Sequence, residues 1–98
     1  MAEKISCRTP AEDRAGVTNI PKWKYDEVSQ AILSVLERGD IAFSDLRDAV
    51  MAELSSETLE NLGSVSWHVT TVKLEMEVRG EIERIPGKVP QRLQLPAT

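Results

Sequence analysis

Cys7, His68, Glu75 and Glu77 are the side chains whose chemistry first suggests a catalytic or metal site. His68 is the only histidine and Cys7 the only cysteine, so the sequence lacks the clustered ligands of a zinc site. Glu75 and Glu77 lie two residues apart, which turns them to different sides of a helix and prevents a general acid and base pair. We find no glycine-rich phosphate loop or nucleophile elbow. We therefore predict no enzyme, no catalytic residue, no metal and no cofactor.

Length and composition predict one small domain. The chain has 98 residues, and 41% of them are hydrophobic, which supports one modest core. No apolar run approaches the roughly 20 residues of a membrane span. The first sixteen residues carry both charge signs and no apolar stretch, unlike a secretory signal. We expect a soluble cytoplasmic protein without membrane contact, in which Cys7 is an inert thiol.

Hydrophobic spacing predicts three main helices and a C-terminal hairpin. Apolar residues recur at helical intervals over 23–38, 44–54 and 64–80, with one or two further helical turns between the second and third helices. Ser44 is the expected N-cap of the second helix, and Gly80 ends the third. Residues 81–85 and 92–95 alternate like strands around a Pro-Gly turn.

The N-terminal part has no such periodicity. Residues 1–16 are rich in charges and contain Pro10 and Gly16, so we expect a mobile segment. Residues 17–20 alternate before Pro21, which suits a short edge strand or an extended arm. The expected organisation is a mobile segment at 1–16, one domain at 17–95 and a tail at 96–98.

This order of elements resembles the winged-helix form of the helix-turn-helix. The resemblance lies in "LRDAVMAEL" as the scaffold helix, "VTTVKLEMEVRGEIERI" as the third helix with its glycine and first wing strand, and "PGKVPQRLQL" as the wing and return. The run from Trp67 to Arg84 is similar to that of a small family of uncharacterised bacterial winged-helix proteins. The resemblance implies an α+β, mainly α fold with a three-helix core and a β-hairpin wing. It also implies that the third helix would enter a DNA major groove.

The third helix is apolar on two sides. Four residues within about 40° of one line form an ordinary core stripe: Val65, Val69, Val72 and Met76. Four others are centred about 210° away, and we call them the second stripe: Trp67, Thr71, Leu74 and Val78. We expect the first helix, the wing and the N-terminal arm to cover the second stripe. Another copy of the chain, docked through Trp67, Leu74 and Val78, is the alternative.

Six polar residues are the candidates for DNA contact. Three lie on the flank of the third helix and three on the wing: Ser66, Thr70, Lys73, Arg84, Lys88 and Arg92. Basic side chains neutralise phosphates and hydroxyls donate to them. Ordinary solvated polarity explains the flank equally well, and Glu77 on the same flank repels phosphate. On the wing, cations that offset Glu81 and Glu83 are the plainer interpretation.

Charge leaves two functions open. The net charge is −4, and residues 37–62 hold seven acidic residues against two arginines, whereas DNA-binding domains usually carry a basic patch. The first hypothesis is a DNA-binding transcriptional regulator or accessory factor. The alternative is a winged-helix protein interaction module without DNA binding, possibly a homodimer. A continuous positive strip from Lys73 across Lys88 and Arg92 would favour the first hypothesis, and a strip broken by carboxylates the second.

Overall fold

The fold is α+β and mainly helical. The computed structural model describes residues 3–8, 17–87 and 91–96. Along the chain the elements are β1 (Lys4–Arg8), β2 (Val17–Pro21), α1 (Lys22–Glu37), β3 (Ile41–Ala42), α2 (Phe43–Glu53), α3 (Ser56–Leu62), α4 (Val65–Arg79), β4 (Glu83–Arg84) and β5 (Arg92–Gln94). The expected helices and the two strands of the C-terminal hairpin are confirmed. The strands of this hairpin, β4 and β5, which we call the wing, are shorter than predicted. None of the described helices has the length and apolarity needed to cross a bilayer.

Two small antiparallel sheets flank the helices. β1 pairs with β2, with Ile5 opposite Ile20. The second sheet has the order β3-β5-β4, so the last strand of the chain lies between the other two. Ile41 faces Leu93 in this sheet, and both side chains join the core. The five residues between α1 and α2, 38–42, thus include one short strand of this sheet.

The N-terminal strand corrects the expected domain boundary. Residues 4–8 were predicted to belong to a mobile segment, and the structure instead pairs them with residues 17–21. Ile5 packs against the core and Cys7 is buried within it. The alternation in "KISCR" is real, but it is too short to stand out beside the charged residues around it. The expected segment at 9–16 and the last residues of the expected tail lie outside the described residues.

Local chemistry sets most helix ends. Ser64 Oγ accepts a hydrogen bond from the backbone N–H of Trp67 at the start of α4, at 3.2 Å. Gly80, with φ of 77°, ends α4 in the left-handed region, which glycine adopts without steric cost. For α2 the expected cap is wrong. Ala42 occupies the N-cap position and makes no side-chain cap, because β3 leads directly into the helix.

The core lies between α1, α2 and α4 and is closed by the wing. α1 contributes one complete apolar stripe, from Tyr25 to Leu36. Burying each Val, Leu or Ile side chain stabilises the fold by about 1.5–3 kcal/mol. The largest fully buried aliphatic side chains come from six elements and from the segment between α4 and β4: Ile20, Val28, Ile32, Leu46, Val50, Leu62, Val69, Val72, Met76, Ile82 and Leu93.

Candidate functional site

The second stripe of α4 stays partly open to solvent. Trp67 is 46% exposed and Val78 is 37% exposed, whereas Thr71 and Leu74 are half-buried. The prediction that this domain covers the stripe is therefore wrong for its two ends. β1 does pack against α4. Its Cys7 interacts with Glu75, which lies between the second stripe and the core stripe on the helical wheel. The structure thus leaves an apolar face on the same helix that carries the core stripe.

Three polar residues of α4 are buried beside the expected core stripe: His68, Lys73 and Glu75. His68 is 8% exposed. Its Nδ1 lies 2.7 Å from the carbonyl oxygen of Ser64, and because that oxygen can only accept, Nδ1 carries the proton. The imidazole ring also stands edge-on to Trp67, with centroids 4.8 Å apart. His68 therefore supports the start of α4 and the orientation of Trp67.

Lys73 is held inside a cluster that joins α4, α2 and the wing. We call the group of Phe43, Lys73, Glu77, Arg84 and Gln91 the wing cluster. Lys73 is only 3% exposed, its Nζ lies 2.7 Å from Glu77 Oε2, and it donates to Gln91 Oε1 at 2.8 Å. The same ammonium lies 4.5 Å from the centre of the Phe43 ring. Burial lowers the pKa of Lys73, and its partner Glu77 opposes that shift.

The structure therefore places Lys73, a predicted DNA contact, inside the wing cluster and away from the open flank. Its position on the helical wheel lies at the edge of the polar flank, and the wing covers that edge. Arg84 donates to Glu77 from the wing. Arg92 donates through Nε and Nη2 to Asp40 Oδ1, at 3.1 and 2.6 Å. Each described cation of the predicted DNA set thus has a carboxylate partner, and Lys88 lies outside the described residues.

Ser66 and Thr70 remain exposed, as predicted, and they line a shallow cleft between α2 and α4. The cleft has a volume of about 360 Å³ and is lined by Phe43, Ser44, Arg47, Ser66, Val69 and Thr70. The guanidinium of Arg47 reaches across it, with Nη1 3.4 Å from Ser66 Oγ, and also pairs with Asp48 at 3.2 Å. Ser44 was predicted only as an N-cap, and Arg47 was not predicted to belong to a site. Their position near the start of α2 is the signal that could have found them.

A second buried cluster lies on the opposite flank of α4. We call Cys7, Tyr25, Glu75 and Arg79 the N-terminal cluster. Arg79 Nε donates to Glu75 Oε2 at 2.7 Å, and the guanidinium lies 4.9 Å from the centre of the Tyr25 ring. Burial raises the pKa of the Cys7 thiol to about 11 and that of Tyr25 to about 12. These contacts fix β1 and α1 against α4, and the raised pKa makes Cys7 a poor nucleophile.

The described residues assemble no metal site of three or more His, Cys, Asp or Glu side chains. No curated protein and no solved structure matches the chain significantly. One family model does match, over residues 4–93, and its description is a family of unknown function, DUF6958. The match includes β1 as well as the helices and the wing. The chain belongs to this family of unknown function, DUF6958.

Proposed function

We propose that the protein is a winged-helix protein interaction module that binds its partner through the second stripe of α4. The order of α1, β3, α2, α4, β4 and β5 supports the winged-helix assignment, as does the sheet order β3-β5-β4. α4 continues through the left-handed Gly80 into the first wing strand, as the resemblance implies. Fold alone does not decide function, so the surface chemistry carries the proposal.

One observation carries it: α4 buries Lys73 and Glu75 and leaves Trp67 and Val78 partly exposed. A DNA-binding face needs free cations for phosphates, yet Lys73, Arg84 and Arg92 each pair with a carboxylate. The positive strip that would favour DNA is therefore interrupted. The second stripe instead presents an exposed tryptophan among uncharged residues. Tryptophan dominates the energetics of protein interfaces, and charged residues are depleted from interface centres.

The first experiment measures DNA binding directly. Fluorescence polarisation with a labelled random duplex at about 50 mM salt is most favourable to phosphate contacts. We expect no saturable binding up to about 50 µM protein, a range that covers most non-specific affinities. Saturable binding that weakens with salt would contradict the proposal.

The second experiment measures docking on the second stripe. Labelled protein at about 10 nM is passed through a sizing column, once in an extract of the source cells and once in buffer with about 500 µM unlabelled protein, a concentration that allows weak self-association. We expect a complex in at least one of the two conditions, and we expect Trp67→Ala to abolish it. Trp23→Ala is the matched control, since Trp23 is 41% exposed but lies on α1, and it should leave the complex intact. Loss of the complex in both variants, or in neither, would count against the second stripe.

DNA binding through the α2–α4 cleft is the second candidate, because Arg47, Ser66 and Thr70 converge there. In a helix-turn-helix the scaffold helix crosses the DNA backbone, which suits an arginine near its start. On this candidate, Arg47→Ala would abolish binding in the polarisation experiment. Arg38→Ala, which removes another exposed arginine paired with a carboxylate, would leave it unchanged. Equal loss in both variants would assign the binding to overall charge and not to the cleft.

A further inference from the structure

We infer that the partner of the second stripe is a second copy of this chain, bound with its α4 antiparallel. This inference rests on the proposed function, because it names the occupant of the same face. The register is specific: Trp67 lies against Val78 of the second copy, and Thr71 lies against Leu74. A two-fold axis passes midway between Thr71 and Leu74, so each contact occurs twice.

Spacing is the first support. The second stripe occupies positions 67, 71, 74 and 78, with steps of four, three and four residues. These steps are the alternation that lines the seam between two packed helices. The series also reads the same in both directions, so one antiparallel register brings every member opposite another member. The second stripe is therefore complementary to itself in position.

Side-chain size distinguishes the antiparallel pair from the parallel one. In the antiparallel register the largest residue, Trp67, meets the smaller Val78, and the small Thr71 meets Leu74. A parallel pair would place Trp67 against Trp67 and Thr71 against Thr71. The parallel interface would therefore be overpacked at Trp67 and underpacked at Thr71, and both conditions destabilise packing. The antiparallel pair distributes volume evenly along the helix.

Charge gives independent support. Antiparallel helices place the negative end of each helix dipole beside the positive end of the other. Glu81, exposed just past the end of α4, falls level with Ser64 at the start of the second α4, where a carboxylate is favourable. A parallel pair would align the two helix dipoles unfavourably. The four residues of the second stripe carry no charge, so no ion is buried when the seam forms.

The size of the surface sets the affinity. Four residues from each copy bury less than the 1,200–2,000 Å² typical of stable interfaces, which predicts a transient dimer with a dissociation constant of roughly 10–100 µM. Sedimentation velocity from about 5 to 500 µM brackets this range, with reducing agent present to keep Cys7 from linking chains. We expect the weight-average mass to rise towards twice the monomer. A constant monomer mass throughout would overturn the inference.

A charge-swap pair tests the register. Thr71→Glu and Leu74→Lys each place a charge on the seam twice in a homodimer, so each alone should weaken association at least about tenfold. In an equimolar mixture, the antiparallel register sets the introduced carboxylate against the introduced ammonium and keeps a native Leu74–Thr71 contact. Association should then recover to within about threefold of the parent. A parallel pair offers no such contact, so failure of the mixture to recover would overturn the antiparallel register.

Two controls separate the inference from folding and from the proposed function. Far-UV circular dichroism and thermal midpoints should match the parent, because both substituted side chains are half-buried and lie outside the core cluster. If a charge variant unfolds, Trp67→Ala replaces it, with Trp23→Ala as its control. If the parent protein stays monomeric, the inference of self-association fails and the proposed function is not affected. The proposed function fails separately, through DNA binding or through an extract complex that does not depend on Trp67.

Discussion

The two flanks of α4 and its second stripe reverse the usual arrangement of a soluble helix. On the flanks, Lys73 and Glu75 are 3% and 0% exposed and each forms an ion pair with a residue four positions later. On the second stripe, Trp67 and Val78 stand in solvent. Amphipathic helices usually bury apolar residues and expose charged ones. At these positions α4 does the reverse, because it buries charged side chains and leaves apolar ones partly exposed. Its hydrophobic pattern alone therefore does not identify which side is buried.

The flanks hold the additional elements of the domain. The wing cluster joins α4 to the start of α2 and to the wing, and the N-terminal cluster joins it to β1 and α1. Buried ion pairs contribute little net stability compared with apolar side chains of similar size, but breaking one is costly. On the second stripe, Thr71 and Leu74 are half-buried, whereas Trp67 and Val78 remain partly exposed. On the proposed function, a partner covers the exposed tryptophan of this stripe.

Breaking the wing cluster at Glu77 should give the largest effect. Glu77→Ala leaves the buried Lys73 ammonium with only Gln91 and the Phe43 ring, and it also frees Arg84. We expect a loss of about 3 kcal/mol in the free energy of unfolding, as when one partner of a buried pair is removed. Urea denaturation followed by circular dichroism measures this loss. Glu83→Ala, an exposed carboxylate on the same wing, should change stability by less than about 0.5 kcal/mol.

Replacing Lys73, the cationic partner of Glu77, should destabilise the fold less than replacing Glu77. Lys73→Met keeps the length of the apolar stem and leaves Glu77 paired with Arg84. We expect a loss below about 1 kcal/mol, since an apolar replacement of a buried charge is often neutral. A loss as large as that of Glu77→Ala would show that the two partners are equally indispensable, contrary to the role assigned to Arg84.

Alkaline pH should weaken the N-terminal cluster. The Cys7 pKa rises from 9.0 to about 11 on folding, so above pH 9 the unfolded chain loses this proton more readily than the folded one. The contribution of the Cys7 thiol to the free energy of unfolding is therefore fully present below pH 9 and is lost as the pH rises towards 11. Tyr25, whose pKa rises from 10.0 to about 12, acts in the same direction at higher pH. Lys73, with its lowered pKa, acts in the opposite direction.

Comparison with a variant isolates the thiol. The free energy of unfolding of the parent and of Cys7→Ala is measured by urea denaturation at pH 7.5, 9 and 10.5. The difference between the two proteins should shift in favour of the variant as the pH rises, because the variant has no thiol to ionise. A difference that stays constant would show that Cys7 ionises equally easily in both states.

Tyr25→Phe should have a smaller effect. The Tyr25 hydroxyl is buried and forms no hydrogen bond to the described residues, so the folded state gains little from it. The phenyl ring still faces the Arg79 guanidinium. We expect a change within about 1 kcal/mol, in the stabilising direction, measured as a thermal midpoint at neutral pH. Clear destabilisation would reveal a partner for the hydroxyl in the part of the chain that is not described.

Trp67→Ala should have the smallest effect on folding. At concentrations below self-association, an exposed side chain away from the core cluster changes stability by about 0.5 kcal/mol or less. Thermal midpoints at about 2 µM, below the predicted dissociation constant, measure the monomer. A large loss there would mean that the second stripe supports this domain and would remove the case for a partner.

Much of the fold was predictable because its signals are local. The stripe of α1, the cap at Ser64 and the glycine at the end of α4 each depend on residues within a few positions. β1 was missed because five alternating residues resemble a charged tail until their partner strand is known. The shift of the α2 start has the same origin, since it depends on the pairing of β3 with β5.

The candidate site was harder to predict because exposure depends on packing. Ser66 and Thr70 were correctly placed on an open flank. Lys73, one position from the buried Val72, was assigned to the same flank, and the wing encloses it. Arg84 and Arg92 were correctly placed on the wing, but their carboxylate partners lie 7 and 52 residues away in sequence. No spacing rule reveals a partner at that distance.

The sequence by itself determined the helices, most of their ends, the turn into the wing and the two apolar stripes of α4, since all of these follow from the 3.6-residue period and local chemistry. Only the tertiary structure decided which stripe is buried, which cations are neutralised and that residues 4–8 join the domain. The physical reason is that burial and ion pairing are properties of neighbours brought together by folding. A helical pattern fixes directions around an axis, but it does not fix what occupies them.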